Sequence, residues 1–223
     1  MENAAVVVSK LSSVEDAMKR IRSGQRIMIG GFGNAGDPKM LIEALTKVDV
    51  HDLTIISNDL GSPNIGLGSL LSAGKVKGLI GNYYNWNPEV ADAYNAGKIT
   101  VDLIPQGSFA EAIRCGGAGI AGFYTRTGVG TMLATGRETK MFDGGEYLLQ
   151  EAIRADVALI YAHKADELGN LVYAKTTRNF NCVMAQAADL VIAEVGEVVP
   201  VGALDPERVV TPHIFVDVLV RRG

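Results

Sequence analysis

The chain has 223 residues, nearly half of them apolar, and a formal net charge of −4. That length and apolar share support a sizeable core and exclude intrinsic disorder, and the mild acidity without a lysine or arginine cluster excludes a nucleic-acid surface. Cys115 and Cys182 form no C-x-x-C pair, which points to a reducing compartment rather than a disulfide scaffold.

The opening "MENAAVVVSKLSS" has an acidic residue at Glu2 and no basic region, so it reads as an ordinary leader or first strand, not a signal peptide. No stretch reaches the roughly 18 apolar residues of a spanning helix, and a soluble cytoplasmic protein is expected. "SSVEDAMKRIRSG" is predicted as a helix, with Ser12 and Glu15 spaced as a capping box and Gly24 at its stop. "RIMIGGF" is a short apolar strand. "DPKMLIEALTKV" is a second helix, with Asp37 at the N-cap and Pro38 at the first helical position. "LTIISND" follows as a buried strand, and "SLLSAGKV" as a helix after a glycine-rich segment.

The alternation continues through "VKGLIGNYY", "NPEVADAYNAGK", "ITVDLIP" and "SFAEAIRCGG". Strands spaced by such helices imply βαβ units and a mostly parallel sheet flanked by helices, hence a single α/β domain over residues 1–223. "GGAGIAGFYTRTGVGTMLATG" departs from that pattern, and "KMFDGGEYLLQ" resembles a hairpin around Asp143-Gly144-Gly145, a small antiparallel excursion. "ADVALIYAHKAD" and "LVIAEVGEVV" resume as strands around the helix "CVMAQAAD". "HIFVDVLVRRG" closes as one last strand.

The chemistry centres on "IMIGGFGNAGDP". Gly31, Gly33 and Gly36 form a G-x-G-x-x-G between a strand and a helix, where backbone can approach a ligand closely and free N–H groups attract anions. Two readings open here: a phosphate, carboxylate or thioester site, or a tight corner. A nicotinamide-dependent oxidoreductase further requires an acid about 20 residues on. The count falls inside "LTIIS", with Asp59 the nearest acid beyond it. A whole helix precedes the loop, and Pro38 is foreign to that fingerprint, so the dinucleotide reading ranks low.

The same stretch resembles the first signature of the family I coenzyme A transferases: Ile27-Met28-Ile29, then Gly30-Gly31-Phe32, Gly36 and Pro38 fill it. Ser23-Gly24 replaces the Asp or Asn before glycine that the family prefers. "LTIISND", "PQGSFAEAIRCGGAGIAGFYTRTGVGT", "RADVALIYAHKADELGNLVY", "RNFNCVMAQAAD" and "VVTPHIFVDVLV" extend the resemblance to the family's α subunit over about residues 12–220. It implies the CoA-transferase-like fold. It also implies a ping-pong transfer of coenzyme A from a short-chain acyl-CoA to an acid such as acetate, acetoacetate or butyrate, through a glutamyl-CoA thioester.

In two-subunit members that glutamate lies in a Ser-Glu-Asn-Gly motif of the β subunit. Neither Ser-Glu nor Glu-Asn-Gly occurs here, and no second half follows "VLVRRG". The resemblance therefore implies an α chain without the nucleophile, an α2β2 partner arrangement, coenzyme A as substrate and no permanently bound cofactor. Gly30, Gly31, Phe32, Gly33, Asn34, Ala35 and Gly36 are expected to present backbone N–H groups to coenzyme A. A bulky residue at Gly31 is expected to weaken transfer while sparing folding. A non-catalytic ligand-binding protein on the same fold is the remaining alternative.

Other residues carry weaker signals. Glu194 ends an apolar strand and reads as a rim or subunit-contact carboxylate. Glu111 and Arg114 suit an intrahelical ion pair, Asn58-Asp59 a capping role, and Asn179-Phe180-Asn181 a helix cap with a packed aromatic. His51, His163 and His213 show no metal spacing. Tyr83, Tyr84 and Trp86 suggest an exposed aromatic cluster at a subunit interface.

Overall fold

Apolar strands, the first four of them short and each followed by a helix, dictate the architecture. In the computed structural model, residues 9–223 are described, so the reading of "MENAAVVV" lies outside them. The main sheet contains β1 (Arg26–Ile29), β2 (Leu53–Ile56), β3 (Val76–Gly81), β4 (Thr100–Leu103), β8 (Ala155–Asp166), β10 (Ala188–Val199) and β11 (Val218–Arg221). These seven run parallel in the order β11-β10-β8-β1-β2-β3-β4. The two-residue β9 (Leu171–Val172) adds antiparallel to β8.

The two faces of β1 show how period two builds a three-layer core. Ile27 and Ile29 join Val157, Leu159 and Ile55 on one face, against α1 (Val14–Met18), α2 (Lys39–Lys47), α3 (Gly68–Ser72) and α4 (Pro88–Asn95). Met28, Ala158, Ile160 and Ile56 pack on the other against α5 (Gln106–Gly117) and α6 (Asn181–Met184). The predicted excursion is a separate antiparallel sheet of β5 (Gly122–Thr125), β6 (Thr139–Phe142) and β7 (Gly145–Glu151), with β7 in the middle. Its hairpin turns at Asp143 and Gly144, both with φ > 0, the twist-matching turn the sequence signals.

Three local expectations are corrected. Ser13, not Ser12, caps α1, accepting from the Asp16 N–H rather than pairing with Glu15. "CVMAQAAD" yields only three helical residues, Cys182–Met184, the end of the four-residue α helix that starts at Asn181, before the strand Ala188–Val199 takes over. "HIFVDVLVRRG" is not one strand: His213–Phe215 form a 3-10 turn before β11, and Asp217 turns back to accept from the Val191 N–H.

Candidate functional site

β1 connects to β2 on one side while β8 lies on its other side, so the strand order reverses at the carboxyl end of β1. Open α/β sheets form their ligand crevices at such a point. The loop Gly30–Gly36 sits there.

Four of its N–H groups are taken up by the protein. Gly30 donates to the Leu159 carbonyl at 3.0 Å, and Phe32 and Ala35 donate to each other's carbonyls at 3.1 Å, folding the loop back on itself. Gly33 donates to Asp59 Oδ2 at 2.8 Å. Those of Gly31, Asn34 and Gly36 have no acceptor among the described residues. Gly31 and Gly36 have φ of 122° and 81°, which only glycine adopts without strain.

Three groups remote in sequence hold this shape. Asp59, just past β2, accepts from Gly33, from Asn58 Nδ2 and from the Gly61 N–H. Asn58-Asp59 is thus a clip on the loop rather than a helix cap. Asn181 is fully buried: its Nδ2 donates to the Gly36 and Thr177 carbonyls, while its Oδ1 accepts from the Tyr161 N–H. Asn179 Nδ2 donates to the Ala35 carbonyl. Asn179-Phe180-Asn181 is therefore a clamp, and α6 has no side-chain cap at all. A Cβ placed on Gly30 would lie 1.9 Å from Asn181 Oδ1, so that glycine is required by close approach.

The start of α2 differs most from expectation. Asp37 is not its N-cap. The N–H groups of Met40 and Leu41 donate to Glu194 Oε2, at 2.8 and 3.2 Å. Glu194 comes from β10, is fully buried and pairs with Arg222, which stacks over the Tyr161 ring at 4.4 Å. It is an interior cap instead of a rim carboxylate. A carboxylate at a helix N-terminus gains from the orphan N–H groups and the dipole, and Arg222 compensates its burial. Asp37, 6 % exposed, lies with its Oδ1 unpartnered against Gly31. Burial, and then the charge of Asp59, raise its carboxyl from 3.8 to about 6.

The loop's open side is apolar. Phe32, Tyr83 and Trp86 are 46 %, 40 % and 57 % exposed. Tyr83 and Trp86 pack edge to face with centroids 5.2 Å apart. Tyr84 is buried instead, which splits the expected cluster. Beside Phe32 a hollow of 320 Å³ is lined by Gln106, Ala110, Asn179, Phe180 and Val183. A larger one, 520 Å³, lies at the opposite end of the sheet among Arg26, Arg154, Asp156 and Asp189, away from the switch point.

Glu111 and Arg114 form the expected pair on α5, at 2.7 Å. Among the described residues no group of three His, Cys, Asp or Glu is placed to hold a metal, and no helix is long and apolar enough to cross a membrane. Both oxygens of Asp59 are engaged with the protein, so the acid nearest the position a dinucleotide would need faces the loop and not a ribose.

A glycine loop with unpaired N–H groups, held at the switch point of a mostly parallel sheet, marks an α/β domain whose loop has the geometry by which such folds take up anionic or carbonyl-bearing ligands. The chain belongs to the coenzyme A transferase family, whose model matches residues 11–222. It is 44% identical to the alpha subunit of the acetate CoA-transferase of Escherichia coli K12, over 95% of this chain and 96% of that one. It is 48% identical to a subunit of the succinyl-CoA:3-ketoacid coenzyme A transferase of Xanthomonas campestris pv. campestris B100, over 90% and 83%. An acyl-CoA transferase of Escherichia coli O157:H7, solved as a thioester complex with CoA, superposes with a TM-score of 0.86 at 24% identity. That likeness shows the fold. It covers 96% of this chain and 47% of the other, so the chain spans about half the length of that neighbour.

Proposed function

We propose that this chain is the α subunit of a heteromeric coenzyme A transferase. It moves coenzyme A between a short-chain acyl-CoA and a carboxylic acid, with a β subunit supplying the nucleophilic glutamate, in an α2β2 assembly. The observation that carries the reading is the near-full-length likeness to single subunits of CoA transferases, together with the absence of a Ser-Glu-Asn-Gly motif.

The loop geometry supports a division of labour. Attack on a thioester carbonyl places negative charge on its oxygen, which preorganised N–H donors stabilise. Within Gly30–Gly36, the groups available for that or for binding coenzyme A are the N–H groups of Gly31, Asn34 and Gly36. The clip from Asp59 and the clamp from Asn179 and Asn181 fix them before substrate arrives, so no reorganisation is needed during reaction.

The test maps the covalent intermediate. The purified complex is treated with acyl-CoA, digested and analysed by mass spectrometry. A coenzyme A adduct is expected on a glutamate of the partner and on no residue of this chain. An adduct on Glu194 or Glu111 would overturn the assignment.

A further inference from the structure

Two carboxylates lie behind the glycine loop without an ion-pair partner among the described residues. Asp59 is 3 % exposed and is held only by the neutral donors of Gly33, Asn58 and Gly61. Asp37 has an oxygen with no donor, and a Cβ placed on Gly31 would lie 2.2 Å from it. The charges facing Asp37 are Asp59, Glu194, Arg222 and Lys39. Arg222 is committed to Glu194, and Lys39 sits at the exposed start of α2. In front of the loop stand the exposed rings of Phe32 and Trp86, the latter 3.7 Å from a Cβ placed on Gly33.

We propose that the loop's open face is the acyl subsite's selectivity filter, admitting acyl groups with an uncharged tail and disfavouring those with a second carboxylate, with Trp86 on that face and the charge of Asp37 behind the loop as its determinants. The proposal rests on the coenzyme A transferase reading and adds the substrate class to it. An alkyl or oxoalkyl tail gains contact with Phe32 and Trp86. A dicarboxylic tail loses hydration against those rings and meets the field of Asp37 and Asp59, with Arg222 already held by Glu194 and Lys39 exposed to solvent.

The test uses the complex of this chain with its β subunit, comparing kcat/KM for butyryl-CoA and succinyl-CoA with acetate as acceptor. The wild type is expected to favour butyryl-CoA by at least about tenfold, and Asp37→Asn to raise the succinyl-to-butyryl ratio about tenfold, as removal of one nearby charge in a partly screened site implies. Trp86→Ala is expected to lower butyryl-CoA relative to acetyl-CoA about tenfold, the lower end of the scale for a lost methylene contact. A check independent of any variant is pH. Protonating Asp37 by lowering pH from about 7.5 to about 6 raises the wild-type succinyl-to-butyryl ratio.

A wild type that takes succinyl-CoA as well as butyryl-CoA overturns the filter, as does an Asp37→Asn ratio within about twofold of wild type. Coenzyme A transfer itself still stands in both cases. Absence of transfer from every acyl-CoA refutes the transferase reading and the filter with it.

Discussion

Replacing Asp37 by asparagine should stabilise the protein, and by an amount that depends on pH. The carboxyl is 6 % exposed, has one oxygen without a donor and is raised from 3.8 to about 6. Below pH 4 it is protonated in both folded and unfolded chains and makes no difference between them. Between about 4 and 6 the unfolded chain releases its proton while the folded one retains it, so stability falls as pH rises. Above 6 the loss is complete, at most about 3 kcal/mol for a rise of that size. Asparagine fills the same volume and carries no proton. Urea unfolding of wild type and Asp37→Asn across pH 4.5 to 7.5 reads the difference directly: the variant's advantage should grow by about 2 kcal/mol over that range and then level off. An advantage that does not change with pH, or a variant less stable at pH 7.5, would refute the claim that Asp37 is buried without compensation.

Glu194→Ala should cost about 3 kcal/mol in denaturant unfolding, because it removes the cap of α2 and strands Arg222; a loss below about 1 would contradict its interior role. The sequence-based expectation that Gly31 tolerates bulk in folding is revised by geometry. With φ of 122° and Asp37 Oδ1 at 2.2 Å from a placed Cβ, even Gly31→Ala should lower both thermal stability and transfer activity; an unchanged melting temperature would refute that close approach.

What the sequence made legible was local. The glycine spacing, the helix start at Pro38 and the alternating strands place a loop at a strand end without any tertiary knowledge. So did the Asp143-Gly144 turn, since two adjacent residues suffice to specify it. What escaped was set by distance along the chain. Asp37-Pro38 has the composition of a helix start, yet Glu194, 154 residues away from Met40, reaches the orphan N–H groups first. Asn181 and Asn179 lie 145 and 144 residues from the glycine-loop carbonyls they bind. No local pattern distinguishes such asparagines from ordinary caps. Composition alone groups Tyr84 with Tyr83, but Tyr84 is buried and Tyr83 is exposed.

The central claim is that this chain transfers coenzyme A only together with a partner that carries the nucleophile. Assaying coenzyme A transfer from butyryl-CoA to acetate, with this chain alone, the partner alone and the two combined, tests it most directly. Transfer is predicted for the combination only. Full transfer by the isolated chain, or none by the reconstituted pair, would contradict the account.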